Sequence, residues 1–327
     1  MKNLIDALPQ HIEHALEIFK DTKLQPLQRE INNIIITGLG GSGIGASIVS
    51  EVLAAELSVP VTVNKDYTIP AFAGENTLVL ACSYSGNTEE TIAAVEAAIA
   101  KKCMIASMSS GGKLADLAAA HNWNHFMVPG GNPPRSMLGY SLVLLFGYFY
   151  AFKLSKHNPE NWVNSVADLL RKEASDMENR AVQMTDVLER KIAAVYACDG
   201  MSAVAERVRQ QLNENSKMVG WNSAIPEMNH NELVGWHFEH PNIAVILLRH
   251  AFENPRNAIR AELNKAILSE KTPSVLEIWA KGKDLIEATF YMIHLTDKLS
   301  GHLAQRHGVD IFDIKVIDFL KGELAGK

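Results

Sequence analysis

Cysteine is scarce: the 327 residues hold three, Cys82, Cys103 and Cys198. Their spacing matches neither a disulfide framework nor a zinc motif, so a reducing, cytoplasmic setting is expected. A basic excess is also missing. The net charge is -6 and the pI about 6.1, which argues against a surface built for nucleic acid or anionic membrane. Any anion bound here must therefore be held by local geometry. No clean membrane-length apolar run exists either. The nearest, Met137 to Leu154 (MLGYSLVLLFGYFYAFKL), contains Ser141, two glycines, three tyrosines and a lysine. It reads as a buried helix and not as a bilayer span of roughly 20 apolar residues. The N-terminal MKNLIDALPQHIEHALEIF has acidic residues and no continuous apolar stretch, so no signal or transit peptide is expected.

What is present suits a two-domain enzyme: 47% hydrophobic and 21% charged residues in a chain long enough for two cores. From residue 30 the pattern alternates strand and helix. NNIIIT, VPVTVN, TLVLAC, CMIASMS and NHFMVP read as strands, and ASIVSEVLAAEL, TEETIAAVEAAIAKK and GKLADLAAAHN as the helices between them. Strands that are apolar throughout and separated by helices predict a parallel sheet covered on both faces. Residues 154–190 are helical and charged and read as a connection. A second rhythm follows over 191–327: KIAAVYACDG, a helix to about Gly220, NIAVILLRH, NPRNAIRAELNKAI, SVLEIWA and a long apolar helix. The expected organisation is α/β, with lobes at 1–153 and 191–327.

Two polar turns interrupt the first lobe. GLGGSGIG at 38–45 follows a strand, and Gly38, Gly40 and Gly43 satisfy GxGxxG with Asp66 downstream, so a nicotinamide dehydrogenase is one reading. The second turn follows TLVLAC as SYSGNTEE, where Ser83, Ser85 and Thr88 crowd around Gly86. At the carboxyl end of a parallel strand, three hydroxyls and the free N–H groups of a helix start make a neutral cage of donors. A phosphate monoester, with about -1.5 to -2 charges at pH 7, is its natural occupant. Neither turn contains Lys or Arg. A simple helix cap would need only one of these polar residues.

The pair GLGGSGIG and SYSGNTEET resembles the sugar isomerase (SIS) domain, which binds phosphosugars. NPPRSMLGY (132–140), QLNENSK (211–217), PEMNHNE (226–232) and IDFLKGEL (317–324) are similar to blocks of the bifunctional phosphoglucose/phosphomannose isomerase family, in the family's order. The resemblance implies two tandem SIS-type lobes, each a parallel sheet flanked by helices. It also implies isomerisation of glucose 6-phosphate and mannose 6-phosphate with fructose 6-phosphate through a cis-enediolate. No metal or other cofactor is implied, and a homodimer with shared active sites is. A phosphosugar sensor without turnover is the rival that keeps the fold.

Site residues carry over from the matching blocks. Ser42, Ser83, Ser85 and Thr88 would hold the phosphate, and the backbone at Gly40 and Gly41 would line the sugar. Glu214 would be the base at carbon, a task open to a glutamate that desolvation makes more basic. Read without the resemblance, Glu214 is a solvated residue on a helix whose apolar stripe is Val204, Val208 and Leu212. Arg135, stiffened by Pro133 and Pro134, would face the developing enediolate oxygen by preorganised charge. His230, a residue type that exchanges protons near neutrality, would open the ring, in the family from the neighbouring subunit. Lys321 would be the second ring-opening group, half-buried or snorkelling beside an inward face of Ile317, Leu320 and Leu324. After GVD (308–310) the family tends to place prolines where this chain reads IFDIKV. That changes the pocket wall that judges the C2 epimer.

Overall fold

The computed structural model describes residues 1–326 and divides them into two units, Ala7–Arg171 and Met1–Asp6 with residues 172–326. The first helix, α1 (Lys2–Asp6), thus belongs with the C-terminal residues, while α2 (Leu8–Asp21) opens the N-terminal unit. The 154–190 segment is divided as well: α7 falls in the N-terminal unit as far as Arg171, and α8 falls in the other.

The N-terminal unit alternates β1 (Asn33–Thr37), α3 (Gly40–Leu53), β2 (Val61–Asn64), β3 (Thr77–Cys82), α4 (Glu89–Ala100), β4 (Met104–Ser109), α5 (Gly112–His121) and β5 (Asn124–Met127). It ends with α6 (Leu138–Ala151) and α7 (Val163–Lys172). All its strand pairs are parallel, in the order β2-β1-β3-β4-β5. β3 and β4 are buried at every residue, which is why they contain no alternating polar positions. The apolar run from Met137 becomes α6, buried over nearly all its length and packed on α2 and α3. No helix among the described residues is long and apolar enough to cross a membrane.

The C-terminal unit carries α8 (Ala174–Leu188), β6 (Ile192–Ala197), α9 (Ser202–Glu214), β7 (Gly220–Ala224), α10 (Glu232–Gly235), β8 (Ile243–Arg249), α11 (Pro255–Ser269) and β9 (Val275–Trp279). The long α12 (Leu285–His307) and α13 (Lys315–Ala325) complete it. Its parallel sheet runs β7-β6-β8-β9, the same plan as the first sheet without the final strand. On α9 the face of Arg207 and Gln211 is buried along with the apolar stripe, because Arg207 pairs with Asp297 of α12 at 2.7 Å. The expected inward face of α13 is corrected. Ile317, Leu320 and Leu324 are 42%, 58% and 49% exposed, and no core of this unit covers them.

At the carboxyl end of β8, Arg249 is buried and bonded to Glu253, Glu262 and Glu277, with Trp279 under its guanidinium. Removing the cation alone leaves Glu253 buried and uncompensated. We expect Arg249→Met to lower the unfolding free energy by about 3–5 kcal/mol, read from urea denaturation followed by tryptophan fluorescence.

Candidate active site

β1 and β3 are neighbours, and the chain leaves the first sheet in opposite directions on their two sides. In such sheets the carboxyl ends at this switch point form the ligand crevice. The two polar turns meet here. A Cβ placed on Gly38 would stand 2.7 Å from Cys82 O, so the glycine turn after β1 lies against the end of β3. A third segment joins them: a Cβ on Gly41 would meet Pro134 O at 3.1 Å, which seats the 3-10 turn Pro134–Ser136 on the first turn of α3. The glycine turn thus touches the end of β3, from which the Ser83–Thr88 turn continues, and also touches the turn that bears Arg135. Ser42, Ser83 and Arg135 are buried, Thr88 is half-buried, and Ser85 is exposed.

The donor cage differs from expectation in one respect. The N–H groups of Gly86, Asn87 and Thr88 are not free, because the turn folds back on itself. Gly86 N–H donates to Ser83 O at 3.0 Å, Asn87 N–H to Ser85 Oγ at 3.2 Å, and Thr88 N–H to Ser83 Oγ at 3.4 Å. Ser83 Oγ and Thr88 Oγ1 share a bond of 2.9 Å. Since one hydroxyl of that pair donates and the other accepts, one O–H proton is left for a ligand. Gly86 has φ +71, and a Cβ there would fall 1.7 Å from Gly111 O, so no other residue fits the turn. The adjoining Cys82 thiol is pushed up to about 12 by burial and is no nucleophile at neutral pH. Asp66, the acidic residue of the dinucleotide reading, is exposed and accepts its own neighbour's N–H, Tyr67, at 2.7 Å.

The C-terminal unit repeats this switch point between β6 and β8 but carries an acid there. Asp199, just after β6, accepts Asn254 N–H at 3.2 Å and Asn257 Nδ2 at 2.7 Å, which puts a carboxylate at the start of α11. His250 Nε2 bonds Asp199 O at 2.7 Å and also lies over Gly200.

The remaining expected site residues belong to this second unit. Glu214 is the last residue of α9 and is half-buried. Lys321 lies on α13 and is exposed, not half-buried, because that helix meets no core here. His230 ends the short 3-10 turn Glu227–His230 and is exposed. Its neighbours on both sides are anchored. Asn229 Nδ2 donates to Asn264 Oδ1 at 2.6 Å. Glu232 accepts Tyr196 OH and Trp221 Nε1, both at 2.5 Å, and Ser223 Oγ. Burial, then the bond to Glu232, raises the Tyr196 hydroxyl well above its ordinary range, so it stays a donor. Glu232 lies inside PEMNHNE, yet without the partner strands nothing marked it as an anchor. Among the described residues no cluster of three or more His, Cys, Asp or Glu has the arrangement of a metal site.

Residues 177–324 match the family model described as bacterial phospho-glucose isomerase C-terminal SIS domain. The bifunctional phosphoglucose/phosphomannose isomerase of Caldicellulosiruptor bescii is 35% identical, covering 97% of both chains. The protein of the same name from Thermoplasma acidophilum is 33% identical over 90% of each. Among solved structures, tagatose-6-phosphate ketose/aldose isomerase from Escherichia coli superposes with a TM-score of 0.67 at 16% identity, covering 93% of this chain and 88% of that one. That last likeness speaks for the fold alone.

Proposed function

Because the chain belongs to the bifunctional phosphoglucose/phosphomannose isomerase family, we propose that it interconverts glucose 6-phosphate and mannose 6-phosphate with fructose 6-phosphate. The observation that supports this reading is the close approach of the two donor turns, Gly38 against Cys82, with the Arg135 turn seated on Gly41. The relatives favour an isomerase over both the dehydrogenase and the sensor reading.

In this reading the hydroxyls of Ser42, Ser83, Ser85 and Thr88 and the start of α3 take the phosphate through dipoles, with no formal cation in either turn. His230 and Lys321 pass a proton to the ring oxygen and remove one from the anomeric hydroxyl, which opens the ring. The Glu214 carboxylate then takes the proton from C2 of the open aldose. The C2 electron pair forms the C1–C2 double bond and leaves the negative charge on O1. Returning the proton from Glu214 to C1, while the O2 hydroxyl proton passes to O1 and O2 becomes the carbonyl, yields the ketose. Arg135 is the fixed charge opposite the enediolate. Protonating C2 of the intermediate from one face or the other gives glucose or mannose 6-phosphate.

We also propose a cytoplasmic homodimer. The exposed Val316, Phe319 and Leu320 of α13 (83%, 70% and 58%) support a covering partner, and the exposed His230 fits donation to a neighbouring copy's site.

The test is direct. Protein incubated with fructose 6-phosphate and EDTA, without nucleotide, should produce both glucose 6-phosphate and mannose 6-phosphate. Appearance of neither would leave the sensor reading standing. Turnover only with a nicotinamide nucleotide would restore the dehydrogenase.

A further inference from the structure

α9 ends at Glu214, and three residues later the backbone turns left-handed at Lys217, with φ 57. That conformation is the usual place of glycine at a helix end and is disfavoured for a residue with a Cβ. The Lys217 side chain is exposed yet bonded. Its Nζ donates to Glu214 O at 2.6 Å and to Asp313 O at 2.7 Å. A cation on the last carbonyls of a helix is also where the helix dipole favours one.

The two carbonyls belong to separate segments of the unit. The end of α9 is fixed on α12, since Asn215 Nδ2 donates to Ser300 Oγ at 2.9 Å and Ser216 Oγ to Ser300 O at 2.8 Å. Asp313 lies two residues before α13, whose start carries the chain on to Lys321. The segment also bonds within itself, Asp313 N–H to Asp310 O at 3.2 Å and Phe312 N–H to Asp310 Oδ1 at 2.8 Å, and back to α12, Val309 N–H to Ala304 O at 3.1 Å. One ammonium therefore connects a rigid helix end to the base of an exposed helix.

We propose that Lys217 is a positioning residue for the isomerisation, fixing the segment that bears Lys321 against the helix end that bears Glu214. The proposal rests on the roles given above to Glu214 and Lys321. Lys217 itself touches no substrate. It sets the geometry of two groups that do, and small misplacements of such groups cost large factors in rate.

The experiment compares Lys217→Met, Lys217→Gly and Lys217→Arg by steady-state kinetics on fructose 6-phosphate, thermal unfolding, and amide hydrogen exchange over residues 310–324. Lys217→Met should lower kcat about tenfold or more with KM unchanged, and amides of 310–324 should exchange faster. Lys217→Arg, whose planar fork can still reach two carbonyls, should recover most of kcat. Lys217→Gly is the decisive variant. It relieves the left-handed backbone, so Tm should hold or rise, while kcat should fall as it does in Lys217→Met. Wild-type kcat in both the Met and Gly variants overturns the proposal. So does a lower Tm in Lys217→Met with kcat per folded molecule unchanged. Failure of the underlying reading looks different: a Glu214→Gln variant with near-normal rate removes Glu214 from the mechanism whatever Lys217 does.

Discussion

Glu214→Gln should retain the fold and the KM for fructose 6-phosphate and lose roughly a hundred- to ten-thousandfold in kcat, the usual worth of a positioned base. The substitution keeps the volume and most of the hydrogen bonding of a half-buried side chain at the end of α9. It removes only the ability to take a proton. An interaction needed in the transition state and not in binding lowers kcat and kcat/KM together. A second readout is independent of rate. Wild-type enzyme in D2O should introduce deuterium at the carbon that Glu214 serves, and the variant should not. Wild-type rate in the variant would assign the carbon proton to another group.

Gly86→Ala should act on the opposite parameter. The new methyl would fall 1.7 Å from Gly111 O, and φ +71 disfavours any side chain, so the turn from Ser83 to Thr88 must rebuild. Gly111 O is backbone and cannot rotate away. Each hydrogen bond to a charged phosphate is worth about 1.5–3 kcal/mol, so loss of even one raises KM by more than about tenfold. The half-buried Glu214 lies in the other unit, so rates at saturating substrate should fall far less. Kinetics over a wide range of fructose 6-phosphate, with inorganic phosphate as competitor, test this. An unchanged KM, with unchanged phosphate inhibition, would take the Ser83–Thr88 turn out of substrate binding.

How much of this was visible beforehand varies by element, for physical reasons. TLVLAC is the strand read from sequence, residue for residue, because a central parallel strand is apolar throughout and ends abruptly in polar residues. α3 begins at Gly40, several residues before the helical pattern suggested. Glycine is a poor helix former, but here it allows contact: a Cβ on Gly43 would lie 2.5 Å from Gly38 O, and one on Gly45 3.1 Å from Ser141. β7 gave no strand signal, since GWNSA has no β-branched residue and is only half-buried at the edge of its sheet. The 3.6-residue stripe of α13 suggested an inward face. Periodicity reports that a face is apolar, and cannot say whether the cover is this chain or something else. The crevice of the N-terminal unit was legible because its parts are short local motifs. The anchor at Glu232 and the bridge at Lys217 were not, because each depends on partners from other segments.

Asp199 has a consequence for stoichiometry. A chain with two sheets of one plan could present two mouths competing for the same ester, each diluting the other. The Asp199 carboxylate at the start of α11 repels a phosphate dianion from the second mouth, so titration calorimetry should count a single sugar per polypeptide.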